Sequence, residues 1–252
     1  MILSWIQYLL YYSSLMSEKI FFKSHKIGLA IFAVGFIFFS FAVHGSENYL
    51  LFRFLRGFIC LAALVYLLIA LGRKNQKWIV GFLFFYGASS IATVWYENSI
   101  MAAGSMILNL VAFCMLLSYV VPKFELKNLT KTFALLFVLT MAINGYLLFQ
   151  LIGLMKAMTL SQTQYILMVL CTICVVFLGF LALFHNHYDN TPQSMAFTLL
   201  VFLIIFAEVF RGIGYYNLAY SVHFVYLARI FLVLAICVCV HFSFLVLHNP
   251  RG

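Results

Sequence analysis

The chain has 252 residues, of which 66% are hydrophobic and only 8% are charged. A soluble domain carries about 25% charged residues, so this composition excludes a soluble protein and indicates one that lies in a lipid bilayer. The net charge of +9 does not indicate nucleic-acid binding. The basic residues lie between apolar segments, where they act as topology signals and contact anionic lipid headgroups.

The first residues of the chain form an amphipathic pattern. Four large apolar side chains recur there at helical spacing: Trp5, Leu9, Tyr12 and Met16. Polar side chains occupy the opposite face, which predicts a helix lying in the membrane interface. We therefore divide the chain into an amphipathic N-terminal segment, residues 1–25, and a transmembrane domain, residues 26–252.

Eight apolar segments follow, and each is long enough to cross about 30 Å of hydrocarbon. They are predicted at 27–44, 50–71, 78–96, 100–121, 130–153, 164–184, 193–215 and 221–247. The three prolines fall at segment ends, where proline is tolerated: Pro122 closes the fourth, Pro192 opens the seventh and Pro250 follows the eighth. The predicted fold is all-α, a polytopic membrane helical bundle of eight transmembrane helices preceded by the amphipathic helix.

The distribution of lysine and arginine predicts the orientation of the bundle. With the N-terminus inside, the inner segments hold Lys19, Lys23, Lys26, Arg73, Lys74, Lys77, Lys123, Lys127, Lys131 and Arg251. The outer loops hold Lys156, with Arg53 and Arg56 just inside the outer end of the second span. Because basic residues collect on the cytoplasmic side, we expect a multi-pass protein of the bacterial inner membrane with both termini in the cytoplasm.

The seventh span carries two opposite charges, Glu208 and Arg211, after an uncharged run from Met195 to Ala207. Residues three apart on a helix share one face, so the two side chains can meet. Ionisable residues in a membrane helix are costly and mark a functional site by default. The alternatives are a structural ion pair, or an arginine that extends to the headgroups.

Arg229 is the third charge predicted to lie within the hydrocarbon. It lies about eight residues into the eighth span, and Glu208 lies about seven residues before the end of the seventh. At about 1.5 Å per residue, both depths are roughly 10–12 Å. The sequence therefore predicts that Glu208 and Arg229 pair across one helical hairpin, and these two are the candidate catalytic residues.

Polar side chains within the spans complete the candidate site. The third span carries a polar stripe on one face, consisting of Tyr86, Ser90, Thr93 and Glu97. The eighth span carries a row at positions i, i+3 and i+6, formed by His223, Tyr226 and Arg229. The candidate ligand-binding residues are Tyr86, Ser90, Thr93, Asn109, Asn144, Arg211, Tyr215, His223 and Tyr226. The alternative is that such residues only hydrogen-bond neighbouring helices together.

Six cysteines all fall within apolar segments. Cys171 and Cys174 have C-x-x-C spacing, but no second such pair and no nearby histidine completes a metal site. The thiols are interpreted as small hydrophobic groups. The sequence predicts neither a metal nor a cofactor.

The last two spans resemble those of the YhhN-like lysoplasmalogenases, eight-span bacterial membrane enzymes that hydrolyse the vinyl ether of lysoplasmalogens. The acidic position of that family's F-x-x-S-D-S-x-L-A-like motif corresponds to Glu208, without the flanking serines. The family's Y-x-A-Q signature is similar to the run Tyr226–Arg229, with arginine in place of glutamine. The family's earlier G-D motif falls near Gly87–Ser90, where this chain has no acid.

The resemblance implies a lysoplasmalogenase-like fold whose site lacks part of the family's machinery. Such a protein would bind a membrane lipid, for instance a lysophospholipid, or another hydrophobic ligand, or would pack against a membrane-protein partner. The alternative is a lipid ether hydrolase that uses Glu208. Vinyl ether hydrolysis needs two ionisable groups of different pKa, and a second one is not evident. A transporter or receptor is less well supported, because no proline interrupts a span.

Overall fold

The computed structural model describes residues 27–72, 76–124, 131–156, 159, 161–215 and 221–248. The helices are α1 (Ile27–Gly45), α2 (Tyr49–Leu71), α3 (Lys77–Ala92), α4 (Ser99–Val120), α5 (Lys131–Lys156), α6 (Gln162–Asp189), α7 (Pro192–Tyr215) and α8 (Ser221–His248). Eight helices in this part of the chain are long and apolar enough to cross a membrane. The predicted fold class is therefore confirmed. The predicted amphipathic helix and Pro250 lie outside the described residues.

Side chains at the helix starts explain where several helices begin. Asn48 accepts a hydrogen bond from the backbone N–H of Leu51 at 3.1 Å and caps α2. Asn98 accepts one from Ile100 at 2.9 Å and caps α4. Each cap satisfies a backbone donor that has no partner inside the helix. Pro192 is the first residue of α7, as predicted.

Helix α6 extends five residues beyond its predicted end at 184. Its last turn is supported by His185, whose Nδ1 lies 3.0 Å from the Asp189 carboxylate. Asn190 follows with φ 44°, the left-handed conformation in which many helices end. The polar residues 185–189 lie beyond the predicted span, but they continue the helix, in which His185 and Asp189 pair across one turn.

Six of the helices form a closed ring. Helices α2, α3, α4, α6, α7 and α8 contact one another in that order, and α8 contacts α2 again. Helix α5 packs on α6. Helix α1 contributes Val43 to a small cluster with Phe52 and Leu55 of α2, against which Val225 of α8 packs. The ring surrounds the interior in which the polar residues of the spans meet.

The two ends of the ring are filled differently. We call the end at which α3 and α7 begin the inner end, and the end at which α2, α4, α6 and α8 begin the outer end. At the inner end, Trp78 stacks on Tyr119 with ring centroids 4.3 Å apart, and both contact Phe197 and Phe242. This aromatic cluster packs the inner end, whereas the outer half contains a cavity.

Candidate ligand-binding site

A cavity of about 490 Å³ occupies the outer half of the bundle. Its lining includes Tyr49, Tyr96 and Tyr215, which lie at or beside the outer ends of their helices. It also includes Phe113, which lies about 20 Å along α4 from the outer end at 1.5 Å per residue. The cavity therefore extends from the outer surface to about the middle of the membrane.

The Glu208 carboxylate is held by two arginines inside this cavity. Nη2 of Arg56 donates to Oε1, and Nη2 of Arg211 donates to Oε2. The Glu208 and Arg56 side chains are only 13% and 10% exposed. Because a buried charge requires a partner, this arrangement provides one cation for each carboxylate oxygen.

Two neutral donors complete the surroundings of the carboxylate. The hydroxyl of Tyr86 donates to Oε1 at 2.5 Å, and Nδ2 of Asn109 donates to Oε2 at 3.4 Å. All four contacts are made by donors, and an ionised carboxylate has only acceptor sites to offer. The geometry therefore favours the ionised form of Glu208, with both oxygens engaged.

Helix α3 positions the Arg56 guanidinium. Nε of Arg56 donates to Oγ of Ser90 at 3.2 Å, and Nη2 donates to the hydroxyl of Tyr86 at 3.0 Å. The neighbouring Gly57 lies so close to α3 that a Cβ atom there would be 2.9 Å from the carbonyl oxygen of Gly87. This close approach brings the polar stripe of α3 within reach of Arg56.

Arg229 does not pair with Glu208, and the predicted ion pair is wrong. Nη2 of Arg229 donates to the main-chain oxygen of Phe52 at 2.5 Å, and its guanidinium lies 4.1 Å from the centroid of the Phe52 ring. The residue is 4% exposed. Nη1 has no hydrogen-bond partner within the described part of the chain. The prediction rested on the equal depth of Glu208 and Arg229 in the membrane. Equal depth does not show that the two side chains point toward each other.

A second ion pair lies at the outer end of the site. Nη1 of Arg53 is 2.6 Å from Oε1 of Glu97 and also donates to the carbonyl oxygen of Val94 at 3.4 Å. The hydrogen bond from Arg53 is the main reason that the pKa of Glu97 lies below its ordinary value. The acid at the end of the α3 stripe is therefore neutralised at the cavity mouth.

The predicted ligand-binding residues divide into three groups. Thr93, Asn109, Arg211 and Tyr215 line the cavity. Tyr86 and Ser90 are buried behind it and hold Glu208 and Arg56, while the Tyr226 hydroxyl lies 2.9 Å from Nδ1 of the lining residue His44. Asn144 and His223 are exposed and do not line the cavity.

Asn144 is exposed and makes a hydrogen bond within its own helix. Its Nδ2 donates to the carbonyl oxygen of Thr140 one turn earlier on α5, at 2.9 Å. That bond gives one N–H of the amide a partner without a second helix. Asn144 therefore does not contribute to this site.

Arg56 is a charged residue of the candidate site that the sequence pattern did not single out. It lies seven residues after Tyr49, at the depth of Glu208, and is almost fully buried. Its proximity to Arg53 made it resemble a boundary residue. A depth of about 10 Å was the available signal, because boundary arginines extend outward rather than inward.

The cavity walls separate charge from hydrocarbon. Its charged lining residues come from α2, α7 and α8. The wall formed by α4, α5 and α6 is mostly apolar and includes Met106, Phe113, Leu148, Leu151, Ile152, Met155, Met168 and Val175. Among the described residues, no group of three His, Cys, Asp or Glu side chains is placed to hold a metal ion. The site can receive a molecule that is polar at one end and apolar at the other.

Comparison of the chain with protein-family models, with curated proteins and with solved structures finds no match.

Proposed function

We propose that this multi-pass membrane protein binds a lipid or another hydrophobic ligand in its outer cavity and does not hydrolyse it. The observation that carries this proposal is the mostly apolar cavity of about 490 Å³ with a buried cluster of ionised groups on one wall. Ligand sites in proteins are typically mostly apolar cavities of about 300–1,000 Å³ with a few placed polar groups. The cavity has both properties.

The state of Glu208 argues against hydrolysis. A general acid must carry a proton and release it to the substrate. Glu208 instead accepts from Arg56 and Arg211, and both cations favour the ionised form. Among the described residues that line the cavity, Glu208 is the one carboxylate. The cluster therefore suits holding a ligand better than cleaving one.

A lysoplasmalogenase-like hydrolase is the second candidate. The observation in its favour is that Glu208, at the position of the acid in that family's motif, lines the cavity. An assay on a lysoplasmalogen distinguishes the two candidates. We expect no aldehyde release by the purified protein; release that disappears in Glu208→Gln, with the fold retained, would make the protein an enzyme.

We place the protein in the bacterial inner membrane with both termini in the cytoplasm. The support is the gathering of basic residues in the segments at the inner end, such as Lys77, Lys123 and Lys131. In this orientation the aromatic cluster lies at the cytoplasmic leaflet and the cavity lies in the outer leaflet. The proposed ligand would reach the cavity from that leaflet.

Two adjacent residues of α6 provide the binding test. Thr172 lines the cavity, whereas the neighbouring Ile173 is 60% exposed and does not line it. Thr172→Trp should fill the cavity and remove lipid that co-purifies with the wild type, as measured by mass spectrometry of the extracted protein. Ile173→Trp is the matched control and should retain that lipid. Equal retention by both variants would show that the cavity is not the binding site.

A further inference from the structure

The charges that line the cavity do not balance. Arg56, Arg211 and Arg229 contribute three positive charges, and Glu208 contributes one negative charge. Arg53 also lines the cavity, but Glu97 neutralises it at the mouth. Three positive charges against one negative charge leave two in excess, deep enough in the membrane to be costly without a counter-ion.

The excess charge has a specific location. Arg229 is 4% exposed, lines the cavity and has no partner for Nη1 within the described part of the chain. Nε of Arg211 is likewise buried and has no partner there. The Phe52 carbonyl and ring that Arg229 contacts are neutral, so they do not compensate its charge. Two guanidinium groups that line the cavity thus each retain a donor without a partner among the described residues.

Guanidinium donors have a clear preference among ligands. They form charge-assisted hydrogen bonds with carboxylate and phosphate oxygens, and their planar fork matches either group. A zwitterionic headgroup would bring a cation into a wall that is already positively charged. A neutral headgroup would leave the excess charge uncompensated.

The wall opposite the arginines suits an alkyl chain. Met106, Met155 and Met168 line it with flexible thioether side chains, which adapt to irregular apolar shapes. Leu148, Leu151 and Ile152 add further apolar surface from α5. The cavity volume of about 490 Å³ lies in the lower half of the range of about 300–1,000 Å³ typical of ligand sites, which favours one chain over two.

We propose that the ligand is a single-chain amphiphile with a net anionic headgroup, a carboxylate or a phosphate monoester, held by Arg229 and Arg211. Its chain lies along the wall formed by α4, α5 and α6. This inference rests on the proposed binding function and specifies the chemical class of the ligand. The anion supplies the missing counter-charge, and Glu208 fixes Arg56 and Arg211 in place for it.

Probes with one chain length and different headgroups test the proposal. Purified protein in a nonionic detergent is titrated with laurate, dodecyl phosphate, dodecylphosphocholine and dodecanol, and thermal unfolding is recorded. Laurate or dodecyl phosphate should raise the melting temperature, and dodecylphosphocholine and dodecanol should raise it less. The better of the two anions identifies the headgroup. Inorganic phosphate alone should have no effect, because it lacks the chain.

Variants of Arg229 separate ligand binding from folding. Arg229→Met should bind the anionic probe about tenfold more weakly or worse, as expected for loss of a charged hydrogen bond. Without ligand, the same variant should unfold at or above the wild-type temperature, because an uncompensated buried charge has been removed. Arg229→Lys should retain part of the anion preference. Lys123→Gln removes one positive charge at the inner end and should bind as the wild type does.

Each remaining outcome separates the two proposals. Equal shifts by all four probes, abolished by Thr172→Trp, would overturn the anionic headgroup and leave the cavity as a lipid site. Shifts unaffected by Thr172→Trp would remove the cavity as the binding site and both proposals with it. A melting-temperature shift by inorganic phosphate as large as that by dodecyl phosphate would show that the ligand is a simple anion rather than an amphiphile. A ligand-free Arg229→Met that unfolds well below the wild type would make Arg229 a structural residue.

Discussion

Arg56 and Glu208 lie 152 positions apart in the sequence and form an ion pair inside the membrane domain. The pair joins α2 to α7, two helices between which α8 lies in the ring. Arg211 binds the other carboxylate oxygen from the next turn of α7. One acid thus stabilises two buried cations. Glu208 is therefore expected to contribute more to the stability of the fold than either arginine does.

Removing Glu208 is therefore expected to cost more stability than removing either arginine alone. Glu208→Gln leaves two guanidinium groups without their counter-ion, whereas Arg56→Gln leaves Glu208 paired with Arg211. Breaking a buried ion pair from one side costs about 3–5 kcal/mol. Thermal unfolding in detergent should show the largest loss for Glu208→Gln and a smaller loss for Arg56→Gln.

The double variant Glu208→Gln/Arg56→Gln should recover part of the loss, since it removes one of the stranded cations. Arg53→Gln is the matched control, because Arg53 and Glu97 are 35% and 65% exposed and such pairs contribute about 1 kcal/mol or less. A larger loss for Arg56→Gln than for Glu208→Gln would contradict this account.

The positions of the helices could be predicted from the sequence because the patterns that indicate a helix are local. A run of about twenty apolar residues, a proline at an end and an asparagine cap each depend only on neighbouring residues. Asn98 and Pro192 lie where those signals placed them. The polar stripe of α3 was also visible, because i, i+3 and i+4 spacing fixes which residues share a face.

The pairing of charges was not accessible in the same way. Several charges lie at one depth, and the sequence does not state which helices are neighbours in the ring. The short α7–α8 hairpin made Arg229 the obvious partner of Glu208, but Arg56 of α2 occupies that position. The prediction that Asn144 binds the ligand was wrong for a related reason. Its position in the sequence does not indicate which face of α5 contacts the bundle.

The aromatic cluster at the inner end should be the most sensitive apolar part of the fold. Phe197 is fully buried and contacts Trp78, Tyr119 and Phe242. Phe197→Ala should cost about 3–5 kcal/mol, because it removes a large buried ring and leaves a cavity. Phe58, which is 51% exposed on the lipid side of α2, gives the control Phe58→Ala with a much smaller loss in thermal unfolding.

The ion pair at the cavity mouth should give the protein a specific response to acid. Arg53 lowers the pKa of Glu97 below its ordinary value of 4.5. The pair therefore adds stability above pH 4.5, and this contribution disappears as the pH falls through the lowered pKa of the folded state. Glu97→Gln should unfold below the wild-type temperature at pH 7 and at the same temperature in strong acid. If the two unfolding temperatures still differ in strong acid, the ion pair is not the source of the difference.

The proposed orientation is tested by labelling two single cysteines, one just before α2 and one at the start of α3. In a background with all six native cysteines replaced by Ala or Ser, Ser46→Cys lies at the outer end and Lys77→Cys at the inner end. A membrane-impermeant maleimide added to whole spheroplasts should label Ser46→Cys only. Labelling of Lys77→Cys from that side would contradict the proposed orientation.

The close contact between α2 and α3 gives the last prediction. A Cβ atom at Gly57 would lie 2.4 Å from Cγ1 of Ile91 and 2.9 Å from the carbonyl oxygen of Gly87. Gly57→Ala must therefore separate the two helices, at a cost of about 1–3 kcal/mol for overpacking. Since Arg56 is the preceding residue, the same shift should weaken its bonds to Ser90 and Tyr86.

Gly104 provides the matched control for this substitution. It lies in α4, and a Cβ atom there would meet nothing within 4 Å. Gly104→Ala should stabilise the protein by about 0.5–1 kcal/mol, because alanine loses less backbone entropy in a helix than glycine does. Thermal unfolding should thus shift in opposite directions for the two variants. Retention of the anionic probe should fall in Gly57→Ala only, since that substitution alone displaces α2, whose Phe52 carbonyl oxygen holds Arg229.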